Sequence, residues 1–335
     1  MAGLPDQWFR AQAGKARRVV IYAHGGLNSE EAAIDRARAM GRHFIGNGCY
    51  PLFLVWKTGL LESLGNIVAE AVRKQPALAT GVGEWISERT DLLIEKSIGR
   101  PIARPIWSEM KENAELAFGS GRGGDLLITA LQKLADSWGD AFELHLVGHS
   151  AGAIILGHML GALAARGMSD QVRTIHLYAP ACSVQFANRH YAPHSAAMQR
   201  LYLRILSDRL ERNDSVGTIY RKSLLYLVSN ALEMDLRTPI LGLANAFEPD
   251  YRGWDGTSSI GDSLRAWQQA ARSAGLHKRG RIEVLDDDKV LTALPDRRIR
   301  ATHGSFDNDI GALNQTLVHI IGAPAQPVVD DLRGF

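Results

Sequence analysis

The sequence predicts a doubly wound α/β architecture of about six mostly parallel strands with helices on both faces, and three observations carry that expectation. Short β-branched or aliphatic runs recur along the chain, each stopped by a turn signal. Between them lie apolar patterns of helical period, long enough for the right-handed crossovers that parallel strands require. The 335 residues, 46% hydrophobic and 22% charged, suffice for a sheet buried on both faces.

The first strand is expected over 18–23, a β-branched run stopped at His24, Gly25 and Gly26. The second covers 50–56 and the third 143–147, stopped at Gly148. The fourth covers 172–178 and ends at Ala179 and Pro180; the fifth covers 201–206, and a weaker sixth 281–285. Helices are expected over 30–47, with Ser29 as N-cap, and over 125–138, 151–166 and 186–200. Two stretches exceed any simple crossover. Residues 57–124 carry helical patterns at 60–72 and 92–98, with Pro101 and Pro105 as breaks. Residues 215–280 carry a helical pattern at 223–233 and a Gly/Asp/Ser-rich loop at 248–261. The chain thus divides into a core (17–56, 125–214 and 281–322) and two helical insertions, which read as caps or lids.

Composition narrows the function. The 38 Lys and Arg balance 36 Asp and Glu, a net charge of +2, so no basic face is available for nucleic acid. The basic clusters at 277–281 and 297–300 read as solvated loop ends. Cys49 and Cys182 stand in no metal-ligand spacing, and two thiols in a chain of this size suit a reducing compartment. The start lacks a signal-peptide pattern, and the longest apolar stretch, 151–165, is short for a membrane span and interrupted by His158. A soluble, cytoplasmic protein is expected.

The sharpest chemical signal is Gly148-His149-Ser150-Ala151-Gly152, a G-x-S-x-G set between an apolar strand and an apolar helix. Exposing a serine hydroxyl at the edge of a sheet demands a sharp strand-to-helix turn, and glycines on either side remove the β-carbons that would clash there. A second signal, His24-Gly25-Gly26, closes the first strand. Acyl transfer needs backbone N–H donors aimed at an oxyanion; Ala151 would supply one and a glycine-rich loop the other. Either motif alone could be an ordinary βα turn.

Together these two motifs resemble the α/β-hydrolase family, with His24-Gly25-Gly26 matching its oxyanion loop and Gly148-His149-Ser150-Ala151-Gly152 its nucleophile elbow. The resemblance extends over residues 17–322 apart from the insertions. It departs at the start, where the family's two leading strands are missing, as in small lipases and cutinases. It implies a chain order of serine, acid, histidine. His303, which follows the sixth strand and precedes an apolar pattern at 310–321, fits the base; His277 lies in a basic loop and His319 within that last pattern. Asp214, followed two residues later by Val216, resembles the acid, with Asp208 the alternative and Glu211 a third candidate. Gly25, Gly26 and Ala151 would form the oxyanion hole.

Three other patterns lack their context. Gly119, Gly121 and Gly124 satisfy G-x-G-x-x-G, but a helical stretch precedes them where a nucleotide site needs a strand. Asp286, Asp287 and Asp288 read as a solvated turn, and Pro193 separates His190 from His194. The expectation is a serine esterase or lipase-like hydrolase acting on a small-molecule or acyl ester, with no cofactor, no metal and no nucleic acid. An acyltransferase or amidase using the same residues, or a non-catalytic binding module on the same fold, are the rivals. Trp85, Trp107, Leu224, Leu225 and Leu227 suit an apolar cap, or simply bury the insertions. The pattern at 223–233 leaves a homodimer or membrane-surface contact open.

Overall fold

The computed structural model describes residues 2–12, 14, 16–25, 30–55, 91–92, 94–216, 220–292, 297–326 and 332. Six strands form one sheet: β1 (Arg17–Ala23), β2 (Cys49–Leu54), β3 (Phe142–His149), β4 (Val172–Tyr178), β5 (Leu201–Leu206) and β6 (Ile282–Leu285). Their order is β2-β1-β3-β4-β5-β6, and every neighbouring pair is parallel. Each strand lies within two residues of the run expected from the sequence. The chain steps outward from β1 to β2, then returns across β1 to β3. The order therefore reverses between β1 and β3, and a crevice opens at the carboxyl ends of such a pair. Ala23 pairs in register with Gly148, so the loop after β1 and the turn after β3 emerge side by side.

Helices pack around the sheet. They are α1 (Gly3–Ala11), α2 (Glu30–Gly46), α3 (Arg104–Leu116), α4 (Gly123–Trp138), α5 (Gly152–Ala165), α6 (Val184–His190), α7 (Ser195–Met198), α8 (Asp208–Asn213), α9 (Leu224–Leu227), α10 (Ser258–Ser273) and α11 (Ile310–Ile321). α5 is apolar on nearly every side, and Ile154, Leu156, Met159 and Leu163 are buried, as expected of a helix enclosed between sheet and outer helices. A small antiparallel hairpin, β7 (Lys289–Leu291) with β8 (Arg298–Arg300), was not foreseen; neither were α1 and α10.

Three expectations need correction. The single helix expected over 186–200 is α6 and α7, separated by a turn at Pro193, whose ring nitrogen has no proton to continue the ladder. Pro101 and Pro105 do not break the first insertion. A π-helical segment, Glu95–Ala103, runs through Pro101 into α3, where Pro105 sits in the first turn, in a position that needs no donor. The loop expected over 248–261 ends early, because α10 starts at Ser258. The pattern at 223–233 becomes α9 followed by a π-helical turn, Val228–Leu232. Ser29, the pattern at 60–72 and Trp85 lie outside the described residues.

The two insertions are tied to each other. Trp107 Nε1 donates to Glu233 Oε1 at 2.7 Å, and Lys111 Nζ pairs with Glu233 Oε2 at 2.8 Å. Glu95 Oε1 accepts from Tyr220 Oη at 2.8 Å and from Asn230 Nδ2 at 2.9 Å. Trp107, Leu224, Leu225 and Leu227 are buried in the common core. Among the described residues no helix is long and apolar enough to cross a membrane.

Candidate active site

At the carboxyl end of β3 the chain turns sharply into α5. Ser150, the residue in the turn, has φ of 54°, a left-handed conformation that is uncommon for a residue with a β-carbon. Its own N–H is spent on Tyr178 O at 2.8 Å, which pins the turn to the end of β4. Two glycines make the turn sterically feasible. A β-carbon on Gly152 would stand 2.1 Å from Ala23 O, and one on Gly148 would stand 2.7 Å from Leu156 Cδ1. Gly25, in the loop after β1, lies so close that a β-carbon there would come within 3.0 Å of Ser150 Cβ.

Ser150 Oγ is 2.8 Å from His303 Nε2. His303 opens a 3₁₀ turn, His303–Asn308, whose capping box is made by Thr302 and Ser305. Both side chains are largely enclosed: Ser150 is 2% exposed and His303 6%. Burial, reinforced by the neighbouring His149 and opposed by Asp307, holds the His303 imidazole down at about 3, so the resting ring is neutral. The turn is also where an anion would be stabilised. Ala151 directly precedes α5, and its N–H is given to no acceptor among the described residues.

The three candidate acids differ in what they touch. Asp214 Oδ2 accepts the backbone N–H of His303 at 2.7 Å, while Oδ1 accepts from Ser215 N at 2.8 Å. Burial pushes its carboxyl up, and these two donors pull the other way. Asp208 faces the second insertion instead: it pairs with Arg212 at 2.7 Å, accepts from Asn245 Nδ2 at 2.9 Å, and takes a further bond from Tyr226 Oη. Glu211 is fully buried near Ser223, and burial drives its carboxyl up to about 8. Of the three, Asp214 alone meets His303, and it does so through the backbone. His303 Nδ1 has no partner among the described residues.

Sequence reasoning passed over a second group beside this pair. His149, the residue before Ser150, places Nδ1 3.0 Å from Asp307 Oδ2 and Nε2 2.9 Å from His303 O. Asp307 also pairs with Arg36 Nε at 3.0 Å and accepts from Tyr22 Oη. Although burial alone would raise it, Arg36, His149 and Tyr22 hold the Asp307 carboxyl well below the usual range. A polar residue at the variable position of G-x-S-x-G and an aspartate four residues after the candidate base were the available signals. Neither pattern states that residues 158 apart in sequence meet.

Gly26 lies outside the described residues. His190 and His194 stay apart in role: His190 stacks on Phe186 and lies beside His158, whereas His194 precedes α7. Asp286 and Asp288 each pair with Arg209, at 3.2 and 2.6 Å. No protein-family model matches the chain, and no curated protein matches it at a significant level.

Proposed function

We propose that this chain is a serine hydrolase of the α/β-hydrolase type that cleaves carboxylic esters through an acyl-enzyme on Ser150. The observation that carries the reading is the 2.8 Å contact between Ser150 Oγ and the neutral His303 Nε2 at a left-handed strand-to-helix turn. Ser150 Oγ attacks the ester carbonyl carbon and its proton passes to His303 Nε2. The carbonyl oxygen becomes an oxyanion facing the Ala151 N–H and the glycine loop after β1. Collapse breaks the bond to the leaving alcohol, which takes the proton from His303. Water then attacks the acyl-enzyme, gives its proton to His303, and the carboxylic acid departs as Ser150 regains its hydrogen.

Asp214 is the acid in this scheme. Its carboxylate accepts the backbone N–H of His303, and a charge beside that residue would answer the imidazolium that forms at each proton transfer. The test is turnover of a p-nitrophenyl ester series from acetate to palmitate by the wild type and Ser150→Ala. Hydrolysis that disappears in the variant supports the reading, and the chain-length optimum reports the acyl pocket. Equal turnover by both proteins, or none by either, removes it.

A further inference from the structure

His303 is held at three points. Ser150 meets its ring, Asp214 takes its N–H at 2.7 Å, and His149 Nε2 lies 2.9 Å from its carbonyl oxygen. The third contact comes from the residue adjacent to the nucleophile, so a single ring spans from the Ser150 turn to the backbone that carries the base. The far side of that ring is anchored as well. His149 Nδ1 reaches Asp307 Oδ2 at 3.0 Å, and Asp307 is fixed by Arg36 from α2 and Tyr22 from β1.

A buried imidazole, 4% exposed, is a costly way to fill space that an aliphatic side chain could occupy, unless its nitrogens are used. Here both face acceptors, a carboxylate and a backbone carbonyl; a neutral ring donates to one of them at a time, and a ring with a proton on each nitrogen donates to both. The 3₁₀ turn that bears His303 is closed locally by the Thr302–Ser305 capping box, and the contacts to Asp214 and His149 tie it to the rest of the site.

Resting on the serine-hydrolase reading above, we propose that His149 is a positioning residue that seats His303 against Ser150 by gripping its backbone carbonyl, with Asp307 as the anchor of the grip. His149 touches no reacting atom. Its contribution is to keep Nε2 of His303 at hydrogen-bonding distance from Oγ, and an error of about 1 Å in such a contact costs on the order of 100-fold in rate.

Two near-isosteres separate the grip from mere packing. In His149→Gln the side-chain amide nitrogen falls near the place of Nε2 and keeps the donor to His303 O. In His149→Asn it falls near Nδ1 and keeps only the donor to Asp307. Turnover of p-nitrophenyl acetate, melting temperature and the rate of Ser150 labelling by a fluorophosphonate are measured for wild type, His149→Ala, His149→Asn and His149→Gln. We expect kcat to fall by about 10- to 100-fold in His149→Ala and His149→Asn with KM changed less than about twofold, and by less than about fivefold in His149→Gln. Equal losses in the Gln and Asn variants, a better rescue by Asn, or full activity in all three overturn the proposal while leaving the serine reading intact. If His149→Ala does not fold, the Gln and Asn pair decides alone. A wild type that neither turns over ester nor labels at Ser150 removes both readings together.

Discussion

Ser150 adopts φ of 54°, and a left-handed conformation costs a residue with a β-carbon roughly 1–2 kcal/mol. That strain is the expected companion of a hydroxyl held out over the end of a sheet. Ser150→Gly should accordingly raise stability by up to about 1 kcal/mol in denaturant melts while abolishing ester turnover. A destabilised glycine variant would mean that the turn is not strained as described. Asp214 can be dissected in the same way. In Asp214→Asn the amide oxygen would still accept the His303 N–H, so that clamp survives, while the charge and the bond from Ser215 N are lost. If the charge answers the imidazolium, kcat should fall by at least about 100-fold, with a loss of stability no larger than the roughly 1 kcal/mol of one hydrogen bond. Activity close to wild type would reduce Asp214 to a clamp. At this scale the meeting of Ser150 with His303 was legible, because motif and chain order point to both, whereas Asp214, expected to orient the imidazole, meets the His303 backbone instead. The pairing of His149 with Asp307 was not, since it is made by β3 and the 3₁₀ turn meeting in space.

Strands were the most legible elements and helices of the insertions the least. β1, β3, β4 and β5 are short, largely buried apolar runs closed by turn signals, so composition alone marks them. α10 was missed although Ile260, Trp267 and Ala271 are buried along it, because these few apolar residues are spread thinly among serine, glutamine and arginine. The prolines misled for a local reason. Pro105 falls in the first turn of α3, where a missing N–H costs little, and Pro101 lies in a π-helical segment rather than an α-helical one. Glycines set the approach of β1 to the β3–α5 turn. Gly152→Ala would drive a β-carbon into the Ala23 carbonyl, 2.1 Å away, and should destabilise the fold by about 2–3 kcal/mol or prevent it. Gly25→Ala brings a β-carbon to 3.0 Å from Ser150 Cβ, with His149 Nδ1 and O in ordinary contact at 3.6 Å, and should spare stability while lowering kcat. Equal melting temperatures for Gly152→Ala and wild type would contradict the close packing described here.

In the molecule as a whole, the reversal of strand order between β1 and β3 places the glycine loop, the Ser150 turn and the His303 turn at one edge, while the joined insertions supply Asp208 and Glu233 with their partners. Glu211 adds a pH dependence to this assembly. Its carboxyl titrates at about 8 in the folded chain against the usual 4.5, so the folded state keeps a proton that the unfolded state releases. Stability from that proton is complete below about pH 4.5 and is lost as the pH rises toward 8. Glu211→Gln should therefore match the wild type at low pH and exceed it progressively up to about pH 8, by about 1.4 kcal/mol for each unit of displacement at most. A gap that does not change with pH would contradict a buried, protonated Glu211. Covalent capture reports whether Ser150 is a nucleophile activated by His303. Wild type and His303→Ala are treated with a fluorophosphonate, and the labelled peptide is mapped by mass spectrometry. One adduct is expected, on Ser150, formed at least about 100-fold more slowly without His303. No adduct, or an adduct whose rate is indifferent to His303, would contradict it.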